Sequence, residues 1–282
     1  MNINVEHLRN QHMESVCDVL AAAFKGPREK YINELQTYRS LQADCWLAAS
    51  VDDHPVGVVG GIDYGSFTSI GYMAVDPAMQ GKGVAKKLFE RLLEVINFRQ
   101  CQVVVLDATD AGAPLYRQFG FIDDGTTLEY ECTDKAKIRG NLVSSATEVS
   151  NPDIDDIERL DQRVFGADRA SVLEHYLNEN PNRAFVTRDQ VGNVTGYVIA
   201  QSKRIGPWVT TNQKDAAVLL EAALSLNFDG SPRVDIPDVN GQGVALLQSY
   251  GFTLYRTFQH MTVGTQPGDR TCQYGQTNLT LG

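Results

Sequence analysis

The stretch Ile70-Gly71-Tyr72-Met73-Ala74-Val75-Asp76-Pro77-Ala78-Met79-Gln80-Gly81-Lys82-Gly83-Val84-Ala85 decides the fold of the first half of this chain. The apolar run over 70–75 predicts a β-strand, and Asp76-Pro77 predicts the turn that ends it. A glycine-containing loop then opens a predicted helix over 83–97. That helix is amphipathic, because its apolar residues recur at helical spacing, at Val84, Leu88, Leu92, Leu93 and Ile96.

The loop between this strand and this helix has the chemistry of an anion site. Gly81 and Gly83 allow the backbone to approach a ligand closely, and the N–H groups of a first helical turn have no partner within the helix. Those donors and the positive end of the helix dipole favour a phosphate. Lys82 adds charge there, unless its side chain only faces solvent. The loop is neither a Walker loop nor the dinucleotide pattern GxGxxG.

The segments on either side of this stretch predict a mixed α/β domain with the order β-αα-βββ-α-β-α-β. Asp52-Asp53-His54-Pro55 reads as the turn of a hairpin. The other predicted elements are a strand at 3–8, helices at 12–24 and 31–41, hairpin strands at 45–49 and 56–62, a strand at 102–106, a helix at 112–119 and a strand at 121–132.

The same order recurs in the second half, which indicates a diverged tandem repeat. Leu246–Phe252 echoes Leu115–Phe121, with 131 residues between Gly120 and Gly251. The offset between Gly71 and Gly206 is 135 residues, which is nearly the same. The elements predicted there are helices at 154–165, 170–179 and 214–227, strands at 184–186 and 194–200, and a strand near Val234. We therefore predict one domain over 1–135, a polar linker over 136–152 and a second domain over 153–282.

Composition excludes several classes of protein. A length of 282 residues with 43% hydrophobic and 21% charged residues suits two folded domains. The net charge of −10 disfavours nucleic acid as a partner. No apolar run is long enough to span a membrane, and the start lacks the features of a signal peptide, so we expect a cytoplasmic protein. The five cysteines include no CxxC and the histidines form no HExxH, so we expect reduced thiols and no metal.

Two blocks of this sequence resemble the motifs of the GNAT superfamily of N-acetyltransferases. Gln80-Gly81-Lys82-Gly83-Val84-Ala85 is similar to motif A, with Gln80, Gly83 and Ala85 at the patterned positions. Ala113–Phe121 looks like motif B, whose core is a Tyr four residues before Gly-Phe. The resemblance covers residues 1 to about 132, and the tandem arrangement is similar to a bacterial subgroup with a diverged second domain.

The resemblance implies transfer of an acetyl group from acetyl-CoA to an amine. The backbone of Met73, Ala74 and Val75 would bond the pantetheine arm, and an N–H there would hold the thioester carbonyl. The loop of Gln80, Gly81, Lys82, Gly83, Val84 and Ala85 would hold the pyrophosphate, and Ala113 joins the cofactor-binding set. Tyr116 would protonate the leaving thiolate, or else only pack on the sheet. Thr109, beside Asp107 and Asp110, stands where many relatives have Asn, so that contact is not carried over.

The general base and the acceptor site stay open at this point. The strand 70–75 has no carboxylate, which leaves Asp63, Tyr72, a residue of the second domain or a water relay. The second domain has Asn212–Ala217 opposite the glycine loop and Leu247 opposite Tyr116, so we expect it not to bind CoA. Asp235 and Asp238 are candidate acceptor residues, or belong to a solvated loop.

These observations predict an N-acetyltransferase that acts on the primary amine of a small molecule by direct attack. Acetylation of a protein amine and a catalytically silent acyl-CoA sensor are the alternatives. The sequence leaves the oligomeric state open.

Overall fold

The computed structural model describes residues 1–98, 101–133 and 145–282. The chain divides into two compact units, residues 1–106 with Leu281, and residues 107–280 with Gly282. This division follows spatial contact, whereas the predicted domains 1–135 and 153–282 follow the repeat in the sequence, and their boundaries stay a prediction. Of the predicted linker, residues 136–144 lie outside the described residues, and residues 145–152 include a short strand and the start of a 3-10 turn.

The predicted helices and strands occur in the predicted order, the short strands at Thr147–Glu148 and Gln273–Gly275 were not predicted, and the mixed α/β class is confirmed. The helices are α1 (Met13–Phe24), α2 (Arg28–Leu41), α3 (Val84–Phe98), α4 (Ala113–Arg117), α5 (Ile154–Phe165), α6 (Ala170–Glu179), α7 (Gln213–Leu224) and α8 (Gly241–Ser249). The strands are β1 (Ile3–His7), β2 (Leu47–Val51), β3 (His54–Asp63), β4 (Thr68–Val75), β5 (Val104–Ala108), β6 (Ile122–Cys132), β7 (Thr147–Glu148), β8 (Ala184–Arg188), β9 (Val194–Ala200), β10 (Ile205–Thr210), β11 (Arg233–Pro237), β12 (Phe252–Val263) and β13 (Gln273–Gly275).

The first unit is built on a mixed sheet in the order β1-β2-β3-β4-β5. The first four strands pair antiparallel, and β5 pairs parallel with β4. Asp52 and Asp53 form the predicted hairpin turn between β2 and β3, with φ angles of 48° and 62°. Positive φ at two successive turn residues gives the twist that hairpin strands require.

Helix α3 covers this sheet with its predicted apolar face. Val84, Leu88, Leu92 and Ile96 are all buried. Gly57 on β3 lets the helix approach closely, because a Cβ there would lie 2.9 Å from Leu88 Cδ1. The start of α3 is therefore held at a fixed height above β3 and β4.

The second unit contains two sheets, in the orders β12-β6-β11 and β13-β10-β9-β8-β7. Strand β6 belongs to the first half of the sequence, yet it pairs antiparallel with two strands of the second half. Leu128 of β6 faces Ile236 of β11 on one side and Thr257 of β12 on the other. Pairing both edges of β6 removes an unpaired strand edge, which is otherwise an aggregation hazard.

The buried side chains of the second unit include two apolar clusters and the ion pair of Arg169 with Asp161. Trp208, Leu219, Val234 and Leu247 belong to the cluster under α7 and α8. The other cluster lies under α5 and contains Ile157, Leu160, Val164, Tyr197 and Ile199, among others. Beside it, Arg169 donates to both carboxylate oxygens of Asp161 at 2.8 Å and to the Gly282 carbonyl at 2.8 Å. The C-terminal residue is thereby bound to the loop between α5 and α6.

We predict that Gly60→Ala destabilises the first unit. A Cβ on Gly60 would lie 2.1 Å from Cε3 of Trp46, which is fully buried and cannot move away. Overpacking of this kind costs about 1–3 kcal/mol in the free energy of unfolding. Gly241→Ala is the matched control, because a Cβ there meets no atom within 4 Å. Urea unfolding followed by circular dichroism compares the two variants, and equal midpoints would contradict the prediction.

Candidate functional site

The carboxyl-terminal half of β4 is paired with β3 along one edge. Along the other edge, the parallel strand β5 pairs with the start of β4 and then diverges from it. On the β3 side, Ala74 pairs with Val58 and Val75 with Gly57. On the β5 side, pairing covers only Thr68, Ser69 and Ile70. Within residues 1–98 and 101–106, no strand pairs with the β5-side edge of Gly71–Val75. An extended ligand can add to such an edge through backbone hydrogen bonds, as the resemblance expects for Met73, Ala74 and Val75.

The segment between β4 and α3 begins with a tight turn and continues into the glycine loop. A 3-10 turn at Pro77–Met79 follows the strand, and Asp76 caps it by accepting from Ala78 N at 2.8 Å. The amide of Gln80 donates to the Val75 carbonyl at 3.3 Å, so this side chain folds back onto the end of the strand.

The glycine loop itself is open. Gly81 and Gly83 have φ angles of 73° and 84°, which favour glycine, and a Cβ built on either would meet no atom within 4 Å. Lys87 N donates to the Gly83 carbonyl at 3.1 Å as the first bond of α3. The N–H groups before Lys87 therefore have no acceptor within the helix, and their role as an anion site stays a prediction.

The two side chains at the end of this loop have different roles. Val84 is buried and fixes the start of α3, and Ala85 is half-buried beside it. Lys82 is exposed, with its Nζ 3.7 Å from the Met79 sulfur. Its charge therefore stays next to the loop and adds to the positive potential of the helix end.

The two base candidates of the first unit are already hydrogen-bonded. Asp63 accepts from Gly65 N at 2.8 Å and so stabilises the turn after β3. Tyr72 donates a hydrogen bond to Oε2 of Glu34 on α2. Glu34 was not among the predicted base candidates. The available signal was the spacing of Tyr31, Glu34 and Tyr38, which lie three and four residues apart and share one face of the helix.

Tyr116 lies in the second unit, on the short helix α4. It is 7% exposed, and its ring centroid lies 6.1 Å from that of Phe121. Burial raises the pKa of the Tyr116 phenol, so the group stays protonated at neutral pH and can donate a proton. Ala113 begins the helix and is fully buried. Thr109, at the position of the missing Asn, accepts from Gly112 N at 2.9 Å and starts the turn into α4.

A buried His–Asp pair lies on the strand that precedes this turn. His260 Nδ1 is 3.0 Å from Asp107 Oδ1, and its Nε2 is 2.8 Å from Gln266 Oε1. Thr127 donates to the same Asp107 oxygen at 2.7 Å. Burial alone would raise the pKa of Asp107, but the hydrogen bond and charge of His260 outweigh it, and the pKa is lowered. The two residues are 153 positions apart, so no local pattern could have indicated the pair.

The two candidate acceptor residues of the second unit lie in different environments. Asp235 is fully buried in an ion pair with Arg204. Burial raises the pKa of Asp235 although the Arg204 charge opposes this. Asp238 is exposed, and its backbone N–H donates to the Thr126 carbonyl at 2.8 Å. Their role toward an acceptor stays a prediction, and the burial of Asp235 weighs against it.

In the second unit, β10 is the counterpart of β4 in the repeat. The edge of β10 that corresponds to the open edge of β4 is covered by β13. Strands β10 and β11 begin side by side, with a parallel bridge between Arg204 and Arg233. Beyond that bridge β13 lies against β10, pairing Gly275 with Trp208. Gln276 N donates to the Asp235 carbonyl at 2.8 Å, which bonds the same segment to β11. A Cβ on Gly275 would lie 2.8 Å from the Ile205 carbonyl oxygen, so the fit is close.

In the second unit, the residues at the positions of the two GNAT motifs make contacts that stabilise the fold. Asn212 caps α7 by accepting from Lys214 N at 3.0 Å, and it stands where the first unit has its glycine loop. Leu247, opposite Tyr116, is fully buried in the apolar cluster. These contacts and the position of β13 give the physical reason to expect no CoA in the second unit.

The described residues contain no group of three or more His, Cys, Asp or Glu side chains placed to hold a metal ion. All five cysteines are free of disulfide bonds, and four of them are buried. Within the same ranges, no helix combines the length and apolarity needed to cross a bilayer.

Comparison with protein families gives one match in each half of the chain. Residues 13–121 match the acetyltransferase (GNAT) family, and residues 157–275 match an acetyltransferase (GNAT) domain. The first match contains the glycine loop and Tyr116, and the second contains β8 to β13.

Individual relatives agree with this assignment. YitH of Bacillus subtilis (strain 168), an uncharacterized N-acetyltransferase, is 25% identical over 186 residues, which is 64% of each chain. The alignment thus spans less than two thirds of that relative. The holothin acyltransferase of a Pseudoalteromonas species is 24% identical over 252 residues, or 84% of this chain and 80% of that one.

Solved structures share the fold along the whole chain. A Pyrococcus horikoshii protein described as an acetyltransferase superposes with a TM-score of 0.88 at 26% identity, covering 99% of this chain and 96% of that one. A GCN5-related N-acetyltransferase from Sphaerobacter thermophilus has a TM-score of 0.70 at 14% identity, covering 94% and 96% of the two chains, and so shows the fold alone. With a GNAT match in each half of the sequence, this chain belongs to the GNAT superfamily of acetyltransferases as a tandem of two GNAT domains.

Proposed function

We propose that this protein transfers an acetyl group from acetyl-CoA to the primary amine of a small molecule. One observation carries the proposal: Gly81 and Gly83 form an open, left-handed loop at the start of α3, directly after a strand edge that its neighbour leaves unpaired. This combination fits both the phosphates and the extended arm of CoA. The name of the Pseudoalteromonas relative gives one compound, holothin, as its acceptor, which favours a small-molecule acceptor here.

The residues of the first unit fit the cofactor in two places. The N–H groups from Gly81 to Lys86 would hold the pyrophosphate, with Lys82 adding charge at the rim of the loop. The unpaired edge of β4 would bind the pantetheine amides through the backbone of Met73, Ala74 and Val75. Bound acetyl-CoA supplies the thioester carbonyl that the amine attacks.

The chain's own groups then lower the barrier in three ways. Backbone bonds along β4 fix the donor, which turns the attack into an oriented, nearly unimolecular step. An N–H of the same strand would stabilise the charge that develops on the thioester carbonyl oxygen. The resemblance assigns Tyr116 as the acid for the sulfur, and the raised pKa of its phenol keeps the proton available.

We predict that one CoA binds per chain and that Gly83→Glu weakens this binding more than 10-fold, a change of about 1.4 kcal/mol. The new carboxylate would stand where the pyrophosphate must lie. Gly192→Glu is the matched control, because that glycine also has a positive φ of 97° and open space around it, in the β8–β9 hairpin. Calorimetry measures affinity and stoichiometry. Equal affinities in the two folded variants would remove the loop from the site, and two CoA per chain would contradict the expectation that the second unit binds none.

We predict that Tyr116→Phe lowers kcat by about 100-fold, the low end for general acid catalysis, because a thiolate already leaves readily. The affinity for CoA should change little. Because burial raises the pKa of Tyr116, the wild-type rate should show no loss from ionisation of this phenol between pH 6 and about 9. Steady-state release of CoA across that range measures both effects. Wild-type turnover in the variant would mean that Tyr116 only packs against its neighbours.

A further inference from the structure

The backbone of Tyr72 departs from the strand that contains it. Its φ angle is 51°, inside the left-handed region, although β4 is otherwise a strand of eight residues. For a bulky aromatic residue this conformation is strained, and strain of this kind concentrates at functional sites. Tyr72 directly precedes Met73, the first residue whose backbone we assign to the cofactor. Tyr72 is therefore adjacent along β4 to the backbone that we assign to the cofactor.

Four other aromatic rings surround the ring of Tyr72. Their centroids lie 5.9 Å (Phe24), 5.9 Å (Tyr31), 5.6 Å (Tyr38) and 6.3 Å (Trp46) from that of Tyr72. We call these five residues the aromatic cluster. Tyr31, Tyr38 and Trp46 are at most 2% exposed and form its floor, whereas Phe24 is 42% exposed. The cluster is thus rigid below and open to solvent at one side.

The carboxylate of Glu34 is hydrogen-bonded to the aromatic cluster. Glu34 accepts the hydroxyl of Tyr72 on Oε2, and its side chain is 30% exposed. The other oxygen, Oε1, lies 3.9 Å from Nζ of Lys30, whose ammonium is also 5.4 Å from the centroid of Tyr31. A primary ammonium therefore already approaches both the carboxylate and an aromatic face. Such an exposed pair between residues i and i+4 is worth only a few tenths of a kcal/mol, so another ammonium can displace it.

We propose that Oε1 of Glu34 binds the ammonium group of the acceptor and takes its proton, with Tyr72 as the residue that positions this carboxylate. The inference rests on the proposed function and adds the missing base and the class of acceptor. That acceptor is a primary amine, cationic at neutral pH, whose carbon chain next to the nitrogen packs against aromatic rings. Carboxylate and aromatic faces together are the pair of groups that recognise such a cation.

These groups account for every proton and electron pair in the acetyl transfer. Glu34 removes one proton from the ammonium, and the free amine nitrogen forms a C–N bond to the thioester carbon. The C–S bond breaks with its electron pair on sulfur, and the second nitrogen proton ends on that thiolate to give CoA. Glu34 then releases its proton to solvent.

Four chains test the proposal: wild type, Glu34→Gln, Tyr72→Phe, and Glu29→Gln as the matched control. Glu29 lies on the same helix and is exposed, so its variant changes the charge equally without touching the aromatic cluster. An acceptor is first found with a panel of primary amines by following CoA release. We expect Glu34→Gln to lower kcat/KM for that amine by about 100-fold or more at pH 7. Its calorimetric affinity for CoA should equal that of the control.

The pH dependence separates a base from a merely structural residue. In Glu34→Gln the rate should recover as the pH approaches the pKa of the free acceptor amine, since the neutral amine then forms without a base. In Tyr72→Phe the acid limb of kcat/KM should move to higher pH, because the carboxylate loses a hydrogen-bond donor. An active wild type with equal kcat/KM in Glu34→Gln and Glu29→Gln overturns this inference alone.

Two further outcomes are decisive. A wild type that binds acetyl-CoA but acetylates no amine of the panel overturns the proposed function and this inference together. If Glu34→Gln does not fold, Tyr72→Phe decides, and an acid limb identical to that of wild type overturns the role of the carboxylate.

Discussion

The geometry of the site depends on the point at which β4 and β5 stop pairing. Three residues of β4 pair with β5, and beyond them Gly71, Ala74 and Val75 pair with β3. A parallel pair that continued to Val75 would cover the edge that a cofactor needs. Gly57 lets α3 lie close to the sheet, so the glycine loop begins directly beyond this uncovered edge. Edge, loop and helix start are therefore consequences of one local divergence.

The second unit repeats this architecture without the two features that we assign to cofactor binding. Strands β10 and β11 begin beside each other like β4 and β5, but β13 adds to β10 and Gln276 bonds to β11. The backbone of the same chain thus covers the edge of β10. At the position of the glycine loop, Asn212 caps α7 instead. Exposed edges must be covered or protected, and here a strand of the same chain covers the edge. The absence of the motif from the sequence and the covered edge of β10 are consistent with each other.

The sequence predicted those parts of the molecule that local patterns determine. Helices α5 and α6 have the predicted bounds, and the Asp52-Asp53 turn and the face of α3 agree with turn chemistry and helical spacing. Three features escaped prediction because they depend on distant residues. The three-residue strand β13 is too short to show an alternating pattern. The His260–Asp107 pair joins residues 153 positions apart. Glu34 becomes a candidate only through its hydrogen bond with the strained Tyr72. Strand β6 was predicted, but not the partners it pairs with.

The pairing of β6 has a consequence for the order of events during synthesis. Residues of β6 are bonded to β11 and β12, and Arg256 reaches Glu129 across 127 positions of sequence. Most of the second half must therefore leave the ribosome before β6 has either neighbour. Contacts of such long separation form slowly, and the waiting strand is exposed to wrong partners. A chain divided between the two repeats would therefore separate β6 from both of the strands that pair with it.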